Sequence, residues 1–303
     1  MNELIMMVGV PGSGKSTWVD SHYSGVYSIH SSDALRMELF GDENCQAKNG
    51  ALFEELHNRI IHYLECGIPC VYDATNLNRK RRMAFLNMIK QHKINCRKIC
   101  VIMLTPPDEC YKNNDNRDRK LDHSIIHKKI CQFECPYFYE GWDEIKVITS
   151  EPYDLPYDKC YGFGQDNAHH SKTLSDHMFD ATTYCRNRDF PEEVTRAAYY
   201  HDIGKLFTKS FVDKKGKVTE DAHYYDHHNY GAYIYLCYII PAARSRQELI
   251  DKYFYTGILI NWHMRPFMAW YGSEAARNRD KRLLGDKIYN DILMLHEADI
   301  HSR

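Results

Sequence analysis

Lys15 and Ser16 close the string G-V-P-G-S-G-K-S, Gly9 to Ser16, directly after the apolar run Leu4 to Val8. This is the P-loop pattern G-x-x-x-x-G-K-[ST], in the strand-then-loop setting that it requires. Gly12, Ser13 and Gly14 let backbone N–H groups turn toward a triphosphate, Lys15 reaches the β- and γ-phosphates, and the Ser16 hydroxyl serves Mg²⁺. Thr17, at the start of the helix that must follow, completes the residues expected to touch the nucleotide. ATP and Mg²⁺ are the cofactors this predicts. The loop speaks for the phosphate donor and is silent on the acceptor.

Three later features bear on the acceptor. Asp33, in H-S-S-D-A-L-R at the end of the second strand, can act as general base toward a hydroxyl, and Arg36, one helical turn on, can hold an anionic group. The competing reading is that Ser32 and Asp33 cap the helix that follows. Asp73 ends the apolar run of C-V-Y-D-A-T-N-L-N-R at the height of the P-loop, as a Walker-B-like acid does. Arg117 and Arg119, within the polar stretch Asn113 to Lys120, can close over a transferring phosphate. The run Arg79 to Arg82 could track an acceptor backbone or form a solvated helix face.

A second constellation lies downstream. Of the 17 histidines many fall after residue 168, and His201-Asp202 sit side by side at the end of an apolar helix, where a pair can bind one metal from adjacent positions. His177, His227, His263 and Asp299 complete a set of His and Asp spread over this half of the chain. His169, His170, His223 and His228 fit surface or supporting positions.

The first half resembles the phage-type 5′-hydroxyl polynucleotide kinases. The likeness rests on G-x-P-G-S-G-K-S-T-W, then Asp33 with Arg36 three residues on, then D-x-T-N-L-N-x-x-x-R, then a basic lid. The resemblance implies Asp33 as general base, Arg36 on a phosphate of the acceptor strand, and Arg117 on the donor phosphates. In the lid, Asn113-Asn114 stands where the family has Arg-Asn, so the choice between Arg117 and Arg119 stays open. The second half resembles the HD-domain metal-dependent phosphohydrolases, and from His201 to Ala232 the HD domains associated with tRNA nucleotidyltransferases. That resemblance implies His177, His201, Asp202, His227 (or His228) and Asp299 as ligands, with His263 serving a second metal. The cation would be Mn²⁺, Ni²⁺, Co²⁺ or Zn²⁺, and Lys205 would meet a substrate phosphate.

The elements needed to position these groups can be read from the same chain. Apolar runs at Leu4 to Val8, Tyr27 to Ile29, Cys70 to Tyr72, Lys98 to Leu104 and Ile145 to Ile148 alternate with helical segments, which predicts a parallel α/β sheet. Glu151 to Asn167 breaks both periodicities. Beyond it lie the helical segments Leu174 to Asn187, Pro191 to His201, Gln247 to His263 and Lys281 to Ile300, with a hairpin around Asp213 to Gly216. The expected architecture is an α/β P-loop kinase domain with a parallel sheet over 1–155, followed by an all-α HD domain over 165–303.

With 44% hydrophobic and 26% charged residues in 303, the chain has the composition of a globular protein. Its net charge of −2 lacks the global basic field of a non-specific nucleic-acid binder, so any such contact must be local. The N-terminus enters the first strand without a basic leader, and no apolar run reaches bilayer length. The expectation is a cytoplasmic protein with no membrane partner, whose eleven cysteines are reduced and mostly buried. Taken together, the two resemblances imply an enzyme that heals nucleic-acid ends, RNA ahead of DNA. It would phosphorylate a 5′-hydroxyl and clear a 3′-phosphate or 2′,3′-cyclic phosphate. No K-x-D-G motif appears, so sealing would need a separate ligase. The alternatives are a small-molecule kinase fused to an HD nucleotidase, and a nucleic-acid-binding regulatory module. The oligomeric state is left open.

Overall fold

Each strand of the first half grows from one of those short apolar runs, and all of them pair in parallel. In the computed structural model, residues 2–42, 48–117, 119–151, 155–167, 172–244 and 246–302 are described. Cys45, His169 and His170 lie outside them. β1 (Glu3–Val8), β2 (Ser28–Ser31), β3 (Cys70–Asp73), β4 (Arg97–Leu104) and β5 (Glu144–Thr149) form one sheet in the order β2-β3-β1-β4-β5. Registers such as Leu4 with Cys70 and Ile5 with Ile99 place β1 centrally. Helices α1 (Lys15–Tyr23), α2 (Ser32–Phe40), α3 (Asn49–Glu65), α4 (Arg79–Gln91), α5 (Pro107–Asp115) and α6 (His123–Ile130) make the connections. Ile5, Met7, Val19, Val71, Ile99 and Val101 interlock as a core under Trp18 and Tyr23. This is the parallel-sheet α/β arrangement of P-loop kinases, with the P-loop at the carboxyl end of the central strand.

The chain divides into two compact units, Met1–Lys129 with Pro136–Thr149, and Ser150–Arg303 with Ile130–Cys135. Nothing local in the sequence marks Ile130–Cys135 as belonging to the later unit. That unit is mainly helical: α7 (Leu174–Asn187), α8 (Glu192–Tyr200), α9 (Lys205–Thr208), α10 (His227–Ile239), α11 (Gln247–Trp262) and α12 (Glu274–His301). It is not purely so, because the hairpin expected around Asp213 to Gly216 is present. β6 (Lys209–Val212) and β7 (Val218–Tyr224) pair antiparallel across a turn in which Asp213 N–H donates to Lys217 O, and Gly216 adopts φ 83°. Between α11 and α12 the backbone makes one π-helical turn, Pro266–Trp270. α12 breaks direction at Gly285, whose φ of 76° and ψ of 166° leave the helical region. α10 is apolar on all sides because it is the central helix of this unit: Tyr230 to Cys237 are all buried. The described cysteines are all free thiols, and all but Cys66 and Cys131 are buried. No helix among the described residues is long and apolar enough to cross a membrane.

One basic residue departs from the sequence reading. Arg82 does not lie on a strand-tracking or solvated face, because its side chain is 0% exposed. Its Nε and one Nη donate to the Glu140 carboxylate at 2.8 and 2.6 Å. Its other Nη donates to the carbonyls of Asn76 and Leu77, both at 2.9 Å. Trp142 Nε1 donates to the same carboxylate. The closing Arg of D-x-T-N-L-N-x-x-x-R therefore fastens the loop after β3. Removing one member of such a pair leaves a buried charge uncompensated. Glu140→Gln should lower stability by about 3 to 5 kcal/mol in denaturant unfolding followed by tryptophan fluorescence. Lys80→Ala, on the exposed side of α4, should cost less than about 0.5 kcal/mol.

Candidate phosphate-binding and metal sites

In the first unit, the P-loop turns through two left-handed glycines, Gly12 at φ 82° and Gly14 at φ 83°. A Cβ on Gly12 would come within 2.3 Å of Cys110 O, so only glycine fits there. Hydrogen bonds from neighbouring segments hold the loop: Thr105 Oγ1 donates to Ser13 O, Asn113 Nδ2 to Gly12 O, Asn76 Nδ2 to Met7 O, and Gly9 N–H to Thr75 O. Asn113, in the segment expected to form the lid, thus braces the loop. The T-N-L-N string joins β3 to β1 through Thr75 and Asn76, while Asn78 caps α4 by accepting from Arg81 N–H.

Lys15 Nζ donates to Val10 O at 2.9 Å, and Ser16 Oγ donates to Asp73 Oδ2 at 2.9 Å. Burial draws the Lys15 ammonium below its ordinary pKa, with Asp73 opposing the shift. Burial pushes the Asp73 carboxyl up, opposed by Lys15 and the Ser16 hydrogen bond. The opening turn of α1 carries no side-chain cap and no acidic residue, so its N–H groups suit an anion. These groups fit a nucleotide phosphate chain: Lys15, Ser16, Thr17 and the loop amides would hold it, and Asp73 would support its Mg²⁺ through Ser16.

Asp33 is not the helix cap. Ser31 takes that role, accepting from Ala34 N–H, which leaves the Asp33 carboxylate in the first turn with its side chain 56% exposed. Two guanidinium groups meet it, Arg36 at 2.8 Å and Arg119 at 3.2 Å. Arg36 is nearly buried and also donates to Asn49 Oδ1. Arg117 donates to Asn114 Oδ1, and its charge weighs against protonation of Lys15 after the larger effect of burial. The two lid arginines are thereby distinguished by place: Arg117 lies toward Lys15 and Arg119 toward Asp33.

In the second unit, five helices bring their side chains to one carboxylate. Asp202 Oδ2 lies 3.2 Å from His177 Nε2 and 3.4 Å from His201 Nε2, and Oδ1 lies 3.1 Å from His227 Nε2 and 3.6 Å from His263 Nε2. Asp299 Oδ1 stands 3.3 Å from His177 Nε2. His177–His201–Asp202 and Asp202–His227–His263 each present ligand atoms within 4.8 Å of one another. His228 belongs to neither group: its ring centroid is 6.2 Å from that of His263, and burial holds its pKa well below the ordinary value.

The orientation of the four imidazoles follows from their outer nitrogens. Nδ1 of His201, His227 and His263 lies 2.7 to 2.8 Å from the carbonyl three residues earlier in each case, at Ala198, Tyr224 and Ile260. His177 Nδ1 instead meets Ser302, at 3.0 Å to Oγ and 3.4 Å to the carbonyl. A carbonyl only accepts, so Nδ1 carries the proton and each Nε2 turns a lone pair inward. Yet Nε2 of His177 and His201 are 3.1 Å apart, and those of His227 and His263 are 3.2 Å apart. Facing lone pairs beside an ionised carboxylate call for a cation. Burial works against charge on His201, but without a cation Asp202 and Asp299 raise it to about 10, a proton on Nε2 that a metal would displace, while burial takes His263 down to about 4. This nitrogen and carboxylate set fits one or two divalent transition ions, with His177, His201, Asp202 and Asp299 holding the first and Asp202, His227 and His263 the second.

Around this set stand Lys205, which the sequence analysis placed on a substrate phosphate, and further residues that it missed. Lys205 Nζ reaches Asp202 Oδ2 at 2.6 Å and donates to Gln165 Oε1 at 2.7 Å. Asn261 donates to Asn229 Oδ1 and to Phe133 O, and accepts from Cys135 N–H, while Asn229 donates to Cys131 O. Each Asn lies two residues from a ligand, so Ile130–Cys135 braces the His227 and His263 pair. A Cβ on Gly204 would fall 2.0 Å from His227 O, so this glycine lets α10 close on the His201-Asp202 turn. Ser302 could have been noticed one helical turn beyond Asp299; the Asn pair carries no local signal.

Fold and loop together define the first unit as a P-loop kinase-type domain. Residues 4–130 match the family model described as an AAA domain. Over 158 residues the chain is 26% identical to an Acanthamoeba polyphaga mimivirus protein named as a putative bifunctional polynucleotide phosphatase/kinase; the match covers 48% of this chain and 33% of that protein. The chain thus spans about a third of the length of this curated relative. Among solved structures, it is similar to a chain of the Pnkp1/Rnl/Hen1 RNA repair complex, at 21% identity, 43% coverage of each chain and a TM-score of 0.37. It is also similar to a gluconokinase from Sinorhizobium meliloti, at 15% identity, with 48% of this chain and 81% of that one covered and a TM-score of 0.34.

Lys15→Ala should abolish phosphorylation from γ-labelled ATP, and Asp33→Asn should lower it about 100-fold or more with ATP binding kept. An Asp33→Asn protein with full turnover would exclude the base role. For the second unit, Ser302→Ala should weaken metal retention about tenfold, read by metal analysis after dialysis against graded chelator.

Proposed function

We propose that this chain heals nucleic-acid ends, RNA ahead of DNA, through two activities. One is an ATP-dependent 5′-hydroxyl kinase in the first unit. The other is a metal-dependent phosphohydrolase in the second, which removes a 3′-phosphate or opens a 2′,3′-cyclic phosphate. The observation that carries the reading is the gathering of four inward-facing imidazoles around Asp202 in a chain that also holds a complete P-loop with Asp33 nearby. The name of the mimivirus relative, which pairs kinase with phosphatase, supports it.

In the kinase, Asp33 accepts the proton of the acceptor hydroxyl as that oxygen attacks the γ-phosphorus and the bond to the β-phosphate oxygen breaks. Lys15 and the loop amides hold the donor phosphates, Arg117 adds charge on their side, and Arg119 with Arg36 orients Asp33. In the phosphohydrolase, divalent cations held there would supply Lewis acidity and lower the pKa of a water. His177, His201, Asp202, His227, His263 and Asp299 fix their positions, and Lys205 receives the negative charge of the substrate phosphate. Sealing of the healed ends falls to a separate ligase.

The state of Arg36 favours a second reading of the acceptor. Its side chain is only 6% exposed and donates to Asp33 and Asn49, so little of the guanidinium is open to a strand phosphate. A small-molecule acceptor needs no such contact. Rates on a nucleoside, a nucleoside 3′-phosphate and a short oligonucleotide decide between them; equal efficiency on all three would establish the small-molecule kinase.

An oligonucleotide with 5′-hydroxyl and 3′-phosphate ends, incubated with ATP, Mg²⁺ and Mn²⁺, tests the whole proposal in one reaction. Lys15→Ala should lose only 5′ phosphorylation. Asp202→Ala should lose bound metal and 3′-phosphate release while still labelling 5′ ends. A metal-free protein that still hydrolyses 3′ ends would defeat the assignment of the second site.

A further inference from the structure

Directly after His263 the chain reads M-R-P-F-M-A-W-Y, and the π-helical turn Pro266–Trp270 buries Pro266 and Trp270 but turns other large side chains outward. Phe267 is 62% exposed, Met268 56% and Tyr271 68%. Three large apolar side chains exposed within five residues form a patch that folding of the unit does not account for. It adjoins the metal ligands. Tyr271 lies 5.3 Å, centroid to centroid, from His296, one turn before Asp299.

The same segment runs into the opening half of α12, where Arg277, Arg279, Lys281 and Arg282 follow one another; Arg279 and Lys281 are exposed. Asp280, among them, is buried and tied to Arg265, Trp270 and Arg279. The exposed acids of this half-helix are Glu274 and Asp286, the latter paired with Lys281, against exposed Arg277, Arg279, Lys281 and Arg282. The outward charge of this stretch is therefore predominantly positive, although the chain as a whole carries −2. Exposed aromatic faces followed within a few residues by exposed guanidinium groups are what a single strand uses: bases stack on rings and phosphates meet cations.

We propose that Phe267, Met268 and Tyr271, with Arg277, Arg279 and Arg282, form a single-stranded nucleic-acid platform that leads a 3′ end to the metal centre. The proposal rests on the phosphohydrolase reading above and adds to it the path of the substrate strand. It also supplies the local basic contact that the near-neutral sequence demands.

Two variants test it in the full-length, metal-loaded protein: Phe267→Ala/Tyr271→Ala and Arg277→Ala/Arg282→Ala. Hydrolysis of a 3′-phosphorylated oligonucleotide is compared with that of p-nitrophenyl phosphate, which offers the reacting group without a strand. KM for the oligonucleotide should rise about tenfold in the aromatic variant, with KM for p-nitrophenyl phosphate and the metal content unchanged. In oligonucleotide binding followed by anisotropy, the arginine variant should flatten the slope of log K against log salt by about 1.4, because two fewer phosphates are neutralised. Unchanged oligonucleotide KM and salt slope would overturn the platform. If the wild type hydrolyses neither substrate, the phosphohydrolase reading fails, and the salt slope still decides the platform: flattened, it stands; unchanged, it falls. Dissociation of a dimer by the aromatic variant, with oligonucleotide binding intact, would assign the face to a second copy of the chain and overturn it.

Discussion

Asp202 is the point on which the second unit closes. A carboxylate buried to this depth is tolerated only if opposite charge surrounds it. Lys205 Nζ, 2.6 Å from Oδ2, supplies part of that charge from the protein itself. Both carboxylate oxygens are engaged, one facing His177 and His201 and the other His227 and His263. Binding of a cation there would be coupled to folding, because the same contacts would serve both. The Nδ1 bonds add direction to the charge, since each backbone carbonyl that takes an outer proton commits the inner nitrogen to the centre.

The first unit solves a different problem, that of keeping an anion cradle open. A loop of left-handed glycines with a buried ammonium would collapse if left to itself, and the neighbouring segments prevent this. Thr105, Asn113 and Asn76 reach the P-loop or its strand from three separate places in the chain. Arg82 in turn anchors the connection that carries Asn76, through the carbonyls of Asn76 and Leu77. The chemistry is assigned to few residues, and many others hold them still.

Much of this was legible in the chain. The P-loop, the strands of a parallel sheet, the Asp at the end of β3 and the adjacent His-Asp pair follow from local spacing, because each is a contiguous string with its own physical signature. The hairpin turn at Asp213 to Gly216 was legible for the same reason. What escaped was whatever depends on contact between distant residues. Arg82 looks like part of a basic run until Glu140, 58 residues on, is seen to bury it. Asn229, Asn261 and the segment Ile130–Cys135 have no pattern that links them before the fold does. Ser31 against Ser32 and Asp33 as the helix cap turned on a one-residue difference in where α2 begins, which propensity alone does not resolve.

Gly204 has a bearing on which ion such a centre would prefer. The gap between the two ligand groups is set where α10 rests against the His201-Asp202 turn, with no side chain between the two backbones. Even a methyl group there would widen the separation of His227 from Asp202. Ionic radius would then be matched by main-chain approach rather than by the identity of the ligands. The same four imidazoles and two carboxylates on a slightly looser scaffold would suit larger cations, so a change of metal preference could arise without altering a single coordinating atom.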